Sequence, residues 1–189
     1  MSARARRKRP KSPGAGNSAE IEEMIRVDHA GEYGALRIYE GQLAVLERKP
    51  RSSGSVGAIR HMAEQERDHF AIFERLIHER QVRPTALTPV WHAAGFALGA
   101  ATALLGEKAA MACTAAVEET IDAHYAGQAE RLGARDPALK RTIEKCREEE
   151  LAHRDEALAR GAEQAPAYPL LSGAIKIGCR LAIKLSEKI

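Results

Sequence analysis

The apolar residues of this chain recur at helical spacing in several separate stretches. Two of the clearest sets are Ile59, Met62, Phe73 and Leu76, and Leu139, Ile143, Cys146 and Ala157. Steps of three and four residues place such side chains on one face of an α-helix. Strand-like alternation of Val, Ile and Thr is nearly absent, whereas helix-favouring Ala, Leu, Glu and Arg are frequent. The pattern predicts an all-α domain whose helices pack through these faces.

Breaks in the spacing give the bounds of the predicted helices. The first helix is predicted to start at Ser18 as its N-cap, with acidic residues in the first turns. After a break at 50–57, a second helix runs to Val82. The third covers 107–132, the fourth runs from the Asp136-Pro137 cap to about Gly161, and a last helix follows Pro169. An uncharged stretch at 84–106 separates the second helix from the third.

Polar residues interrupt these apolar faces where Leu or Ile would ordinarily lie. Two helices carry a Glu-x-x-His motif in phase with their apolar face, and two others carry a single Glu in phase. The six residues are Glu32, Glu66, His69, Glu118, Glu150 and His153. Burying an ionised carboxylate without a partner costs several kcal/mol. Since the faces that hold the two motifs contain no Lys or Arg, a bound cation is the simplest compensation.

The arrangement of these six residues indicates a dinuclear metal site. One Glu from each of two helices and a Glu-x-x-His from each of two others is the ligand set of di-iron or di-manganese carboxylate bundles. Four carboxylates nearly neutralise two divalent ions, but the set does not distinguish iron from manganese. Glu119 points about 100° away from the face that holds Glu118. The alternative, six hydrogen-bonded core residues without a metal, requires four helices to break their patterns in register.

Composition narrows the classes of partner and compartment. The net charge is only +3 in 189 residues, so no nucleic-acid partner is predicted. Cys113, Cys146 and Cys179 are isolated and fit a reducing compartment. Residues 1–17 are basic and rich in Pro, Gly and Ser, which predicts a disordered tail drawn to anionic lipid. The Arg-rich character of that tail leaves a mitochondrial transit peptide as the alternative.

Several short motifs are more specific than the periodicity. They are the stretches 25–35 (Ile-Arg-Val-Asp-His-Ala-Gly-Glu-Tyr-Gly-Ala), 95–100, 116–119, 148–153 and 178–180. Through them residues 21–189 resemble the demethoxyubiquinone hydroxylases. The resemblance implies that 18–189 form a ferritin-like four-helix bundle with an additional apolar segment and a C-terminal amphipathic helix. It also implies that the metals are two iron ions and that the six residues above hold them.

The resemblance further implies an oxygen-dependent monooxygenase of ubiquinone biosynthesis. Its substrate would be a polyprenyl methoxy-methyl-benzoquinol, converted from demethoxyubiquinol to demethylubiquinol, with NADH as the electron source. The chain has no Gly-x-Gly-x-x-Gly motif, so a nicotinamide would not bind at a Rossmann site. His124 and Tyr125, close to Glu118, are predicted to handle protons or electrons; a packed, hydrogen-bonded pair is the alternative. A further partner would be an accessory lipid-binding protein, or other copies of the same chain in a homo-oligomer.

The uncharged stretch 84–106 is about long enough to cross a membrane. A single crossing would separate Glu32, Glu66 and His69 from the other three residues of the set. We therefore expect the stretch to lie along the bundle or dip into the lipid interface. The last helix has a basic stripe beside an apolar side, which favours peripheral attachment to the cytoplasmic face of a bacterial membrane. The alternatives are the matrix side of the mitochondrial inner membrane and, for the helix, an ordinary core position.

Two other functions share parts of these features. A ferritin-like iron-storage or peroxide-detoxifying protein would need the metal set but no apolar segment. A non-catalytic quinone or lipid carrier would need the apolar surfaces but no metal. Loss of oxygen-dependent turnover in Glu150→Ala, with lipid binding retained, would decide against the carrier.

Overall fold

The computed structural model describes residues 15–48 and 53–189, and within them the chain is helical with no strand. The helices are α1 (Ala15–Leu46), α2 (Ser53–Glu79), α3 (Thr88–Leu105), α4 (Glu107–Leu132), α5 (Pro137–Ala159) and α6 (Tyr168–Lys188), with a 3-10 turn at Ala162–Gln164. The all-α prediction is confirmed. The predicted basic tail lies outside the described residues, except that 15–17 already belong to α1.

The predicted helix bounds agree with the structure at some ends and differ at others. The bounds of α4 are those predicted, and Asp136 caps α5, where its carboxylate accepts from the backbone N–H of Leu139 at 3.0 Å. The start of the first helix was predicted wrongly. Ser18 lies inside α1, and its hydroxyl donates to Glu22 one turn later instead of capping the helix.

Four helices, α1, α2, α4 and α5, form a bundle whose core has two apolar ends. One end gathers Tyr39, Leu46, Ile59, Met62 and Met111, and the other gathers Met24, Ile25, Phe73, Leu132 and Ile143. The first cluster contains residues from the C-terminal parts of α1 and α5 and from the N-terminal parts of α2 and α4, and the second cluster contains the opposite parts. Helix α1 therefore runs antiparallel to α2 and α4 and parallel to α5. Positions midway along all four helices therefore face a space closed at both ends by hydrophobic side chains. This is the ferritin-like bundle that the resemblance implies.

The uncharged segment forms α3, which lies along α1 at backbone contact. A Cβ atom on Gly99 would stand 1.9 Å from the carbonyl oxygen of Ile38, and one on Gly41 would stand 2.2 Å from that of Phe96. Only glycine allows so close an approach at these two positions. Over the described residues, no helix combines the length and the apolar character needed to cross a membrane.

Helix α6 packs against α4 through Ile175, Leu171 and Cys179. On another face it leaves Leu170, Ile177 and Leu181 exposed, at 75%, 66% and 57% of their surface. The apolar side that the sequence predicts for this helix comprises Leu171, Ile175, Cys179, Ala182 and Leu185. Its first three residues are packed, Leu185 is exposed, and the exposed face of Leu170, Ile177 and Leu181 was not predicted.

Candidate metal centre

The six polar residues predicted for the core come together midway along the bundle. Each is at most 3% exposed. Among the described residues, two four-residue groups place one potential ligand atom from each member within 4.8 Å of the others. The groups are Glu32, Glu66, His69 and Glu150, and Glu66, Glu118, Glu150 and His153. Because Glu66 and Glu150 belong to both groups, the geometry suits two cations that share these two carboxylates.

The two histidines turn the same ring nitrogen toward the carboxylates. His69 Nδ1 lies 3.0 Å from Glu150 Oε1, and His153 Nδ1 lies 3.2 Å from Glu66 Oε1. The opposite nitrogens contact outer residues, with His69 Nε2 2.5 Å from Glu149 Oε2 and His153 Nε2 3.0 Å from Gln65 Oε1. A histidine ligand uses one nitrogen for the metal and is oriented by a partner on the other. Both rings therefore have the orientation that Nδ1 ligation requires.

Each of the two single glutamates receives a hydrogen bond from a buried tyrosine on the facing helix. Tyr39 on α1 donates its hydroxyl to Glu118 Oε1 on α4 at 2.6 Å. Tyr125 on α4 donates in the same way to Glu32 Oε1 on α1. Burial and the neighbouring carboxylates raise the pKa of both tyrosines well above the ordinary value, so both hydroxyls remain protonated donors.

The protonation of the cluster follows from its burial. Burial, with the charge of Glu150 added, raises the pKa of Glu66 and Glu118 well above the usual range. Burial alone would raise the pKa of Glu150 and lower that of His69, but their hydrogen-bonded charges reverse both directions. The pKa of Glu150 is lowered to about 2 and that of His69 is raised to about 11. Protons thus neutralise the cluster when no cation does.

Unpartnered oxygens provide the test of whether a metal fits. Within the described part of the chain, both carboxylate oxygens of Glu66, Oε2 of Glu32 and Oε2 of Glu118 are buried and accept no hydrogen bond. Histidine Nδ1 atoms lie near two of them, 3.2 Å from Glu66 Oε1 and 3.5 Å from Glu32 Oε2. Buried polar atoms are ordinarily satisfied, and four such oxygens in one cluster need an explanation. Carboxylate and imidazole donors in this number suit iron or manganese. The residues present therefore fit a pair of such ions.

His124 and Tyr125, the predicted catalytic pair, have different surroundings. Tyr125 reaches the carboxylate cluster through Glu32. His124 belongs to neither group of potential ligands; its Nε2 lies 2.9 Å from Gln128 Nε2 and 3.3 Å from Asp28 Oδ1. The contacts of Asp28 and Gln128 were not foreseen, although both residues lie in phase with the apolar faces of their helices.

An apolar cavity of about 500 Å³ lies beside the bundle core. It lies among α1, α3, α4 and α6, and its lining includes Trp91, Leu98, Val117, Ile121, Ile175 and Cys179. A second cavity of about 20 Å³ is lined by Asp28, Glu32, His124 and Tyr125, and shares Val27, Gly31, Ile121 and Ile183 with the first. The two cavities therefore adjoin, and the small one lies next to four polar residues, of which Glu32 belongs to the candidate metal centre.

Fold and site together define a ferritin-like bundle with a buried Glu/His cluster that could hold metal ions, close to an apolar cavity. Residues 19–186 match the family described as ubiquinone biosynthesis protein COQ7, and the chain belongs to that family. A 3-demethoxyubiquinol 3-hydroxylase from Rhodospirillum rubrum is 59% identical over 172 residues, which are 91% of this chain and 80% of that protein. The family resemblance predicted from the motifs is confirmed.

Two relatives from eukaryotes are similar over a comparable share of the chain. A Homo sapiens protein named NADPH-dependent 3-demethoxyubiquinone 3-hydroxylase, mitochondrial, is 52% identical over 176 residues, covering 90% of this chain and 79% of that protein. A 5-demethoxyubiquinone hydroxylase, mitochondrial, from Saccharomyces cerevisiae is 40% identical over 187 residues, covering 91% and 79%.

Proposed function

We propose that this chain, a hydroxylase of ubiquinone biosynthesis, holds two iron ions and uses dioxygen to convert demethoxyubiquinol to demethylubiquinol. The observation that carries the proposal is the pair of four-residue groups that share Glu66 and Glu150. Glu32, His69, Glu118 and His153 complete the ligand set. The substrate class agrees with the hydroxylases named among the relatives. The apolar cavity beside Glu32 has the size and character that a prenylated ring needs.

The protein's own residues orient the reactants and keep water out. Bound iron would supply dioxygen activation and oxygen transfer to the ring, which side chains alone do not provide. The two apolar ends of the bundle exclude solvent from the cluster. Tyr125 holds Glu32 in place by its hydrogen bond. His124 lines the small cavity beside Glu32, where it can take up or deliver a proton.

The electron source is proposed to be a reduced nicotinamide. The resemblance implies NADH, whereas the human relative is named as NADPH-dependent. Parallel assays with each nucleotide at equal concentration distinguish the two. NADH is the donor if it alone supports product formation, and NADPH replaces it in the opposite case.

Peripheral membrane association completes the proposal. Leu170, Ile177 and Leu181 form an exposed apolar strip on α6, beside the basic stripe of Lys176, Arg180 and Lys184. Such a helix suits an anionic lipid surface, where a polyprenyl substrate resides. We place the protein on the cytoplasmic face of a bacterial membrane. The mitochondrial names of two relatives support the matrix side of the inner membrane as the alternative.

The decisive assay incubates the iron(II)-loaded protein with demethoxyubiquinol, a reduced nicotinamide and dioxygen. Mass spectrometry should find a quinone that has gained one oxygen atom. An unchanged quinone in a fully iron-loaded protein would refute the hydroxylase proposal. Iron accumulation or peroxide consumption without quinone would support the storage or detoxifying alternative, and quinone binding without either would support a carrier.

A further inference from the structure

The contacts around the two single glutamates repeat between the halves of the chain. Glu32 on α1 and Glu118 on α4 are each followed, seven residues later, by the tyrosine that donates to the other. Ten residues after each glutamate lies a buried glutamine, Gln42 or Gln128. These repeated contacts make the few differences between the halves informative.

One difference lies four residues before each glutamate. In one half, Gln42 Nε2 contacts the Thr114 hydroxyl at 3.4 Å. In the other half, the corresponding contact joins Gln128 Nε2 to Asp28 Oδ1 at 2.7 Å. In the first half Gln42 Nε2 also donates to the Ala110 carbonyl at 3.1 Å, so the glutamine is met there without a carboxylate. The second carboxylate oxygen of Asp28 therefore needs a different explanation.

That second oxygen makes no hydrogen bond within the described part of the chain. Asp28 is 2% exposed, and within the described residues its Oδ2 has no hydrogen-bond partner. A buried carboxylate oxygen left unpartnered lowers the stability of the fold, because its lost hydration is not replaced. Burial accordingly raises the pKa of Asp28, although His124 and Gln128 oppose the shift. Over residues 15–48 and 53–189, Asp28 Oδ2 is the buried carboxylate oxygen without a partner that lies outside the six-residue cluster, which points to a group other than the metals as its partner.

The location of Asp28 shows which ligand can do so. It lines the cavity of about 20 Å³, which shares four lining residues with the apolar cavity of about 500 Å³. A space of this size holds one water-sized group, such as a hydroxyl, while a ring remains in the larger cavity. The other polar residues that line the small cavity already have partners. The Tyr125 hydroxyl donates to Glu32, His124 contacts Gln128, and Glu32 belongs to the candidate metal centre.

We propose that Asp28 orients the substrate ring, with its Oδ2 accepting a hydrogen bond from one of the two hydroxyls of the benzoquinol. The assignment rests on the proposed function for the identity of the ring. It makes Asp28 a residue that contacts substrate and is not a metal ligand. One hydroxyl is then held at Asp28 in the small cavity, while the prenyl tail lies in the apolar cavity. Because both sides of the ring are fixed, the ring has a single orientation relative to Glu32.

Binding measurements test this contact without relying on turnover. Trp91 is the only tryptophan of the chain and lines the apolar cavity, so quenching of its fluorescence reports occupancy. The probes are a short-tailed demethoxyubiquinol and the two phenols that lack one or the other ring hydroxyl, added anaerobically to iron-loaded protein. Only one of the two phenols lacks the hydroxyl that donates to Asp28. We expect that phenol to bind about 10–100-fold more weakly than the quinol, because it loses a hydrogen bond to a carboxylate.

Two variants and a control isolate the role of Asp28. Asp28→Thr copies the Thr114 arrangement beside a glutamine, and it should abolish the preference for the quinol over that phenol. Asp28→Asn keeps the shape and should weaken the preference, because neutral hydrogen bonds are about half as strong. Glu130→Gln removes an exposed carboxylate from α4 and should retain the full preference. Iron content should be unchanged in all three.

Separate outcomes distinguish this inference from the proposed function. Equal binding of all three probes by the wild-type protein, or an undiminished preference in Asp28→Thr, would overturn the role of Asp28 even if the quinol is hydroxylated. A preference that depends on Asp28, without any hydroxylation of the quinol, would uphold the contact and refute the proposed reaction.

Discussion

His69 Nδ1 lies 3.0 Å from Glu150 Oε1, so the two Glu-x-x-His motifs meet across the bundle from α2 and α5. In the absence of a cation this contact is an ion pair, with the pKa of His69 raised to about 11. A proton on His69 then stands in for part of the charge that a metal would supply. Metal binding and proton release are therefore linked at this site.

Metal affinity should rise with pH across the neutral range. The pKa values of Glu66, Glu118 and His69 are all raised, so each group holds a proton that an incoming cation must displace. Lowering the pH favours the protonated groups and weakens binding; raising it does the opposite. Titration of manganese(II) into metal-free protein by calorimetry, in buffers of different ionisation enthalpy, measures the protons released. Binding that neither changes with pH nor releases protons would contradict this linkage.

Replacing Glu150 should remove metal and activity together. Removing a residue that only hydrogen-bonds a metal ligand typically lowers metal affinity or activity about 10–100-fold. Removing a carboxylate that belongs to both groups of potential ligands should therefore lower turnover by more than about 100-fold. Iron per chain should fall well below two in Glu150→Gln. The matched control is Glu148→Gln, an exposed residue two positions earlier on α5, which should keep both iron and turnover. Full iron loading of the Glu150 variant would exclude the shared-ligand role.

The two tyrosine–glutamate contacts should be unequal in function. Tyr125→Phe and Tyr39→Phe each remove one hydrogen bond to a carboxylate of the cluster, but only Tyr125 lines the small cavity. We expect both variants to keep their iron and Tyr125→Phe to lose about 10-fold or more in kcat, the equivalent of one charge-assisted hydrogen bond. Steady-state hydroxylation and metal analysis measure the two effects. A larger loss in Tyr39→Phe would place the substrate on the other side of the cluster.

Close packing of α3 on α1 should be sensitive to a single methyl group. Gly99→Ala would force the two backbones apart, because the new Cβ would stand 1.9 Å from the Ile38 carbonyl oxygen. Overpacking of this kind costs about 1–3 kcal/mol, so thermal unfolding should shift to lower temperature. Gly127→Ala on α4 is the control: its Cβ meets nothing within 4 Å, and the change should stabilise by about 0.5–1 kcal/mol. Equal melting temperatures for the two variants would argue against the observed α1–α3 contact.

The sequence predicted the convergence of the six core residues because helical periodicity fixes which face a residue occupies. Glu66 and His69 stand out against Ile59, Met62 and Phe73 on the same face. Helix bounds were predictable where a cap or breaker is unambiguous, as at Asp136. They were missed at Ser18, because α1 begins at Ala15 although Gly16 and Asn17 have low helix propensity.

Contacts that depend on the register between helices could not be predicted. The crossed pairs Tyr39–Glu118 and Tyr125–Glu32 require that α1 and α4 be aligned to within a turn. The apolar cavity depends on how closely α3 approaches α1, which the glycine positions permit but do not dictate. The unpartnered oxygen of Asp28 is visible only when all neighbouring helices are in place.

The most direct measurement is anomalous diffraction at the iron absorption edge from crystals of the iron-loaded protein. Our account predicts two anomalous peaks per chain, one bounded by Glu32 and His69, the other by Glu118 and His153, with Glu66 and Glu150 reaching both. A single peak, or iron bound elsewhere while these six side chains keep their metal-free contacts, would contradict it.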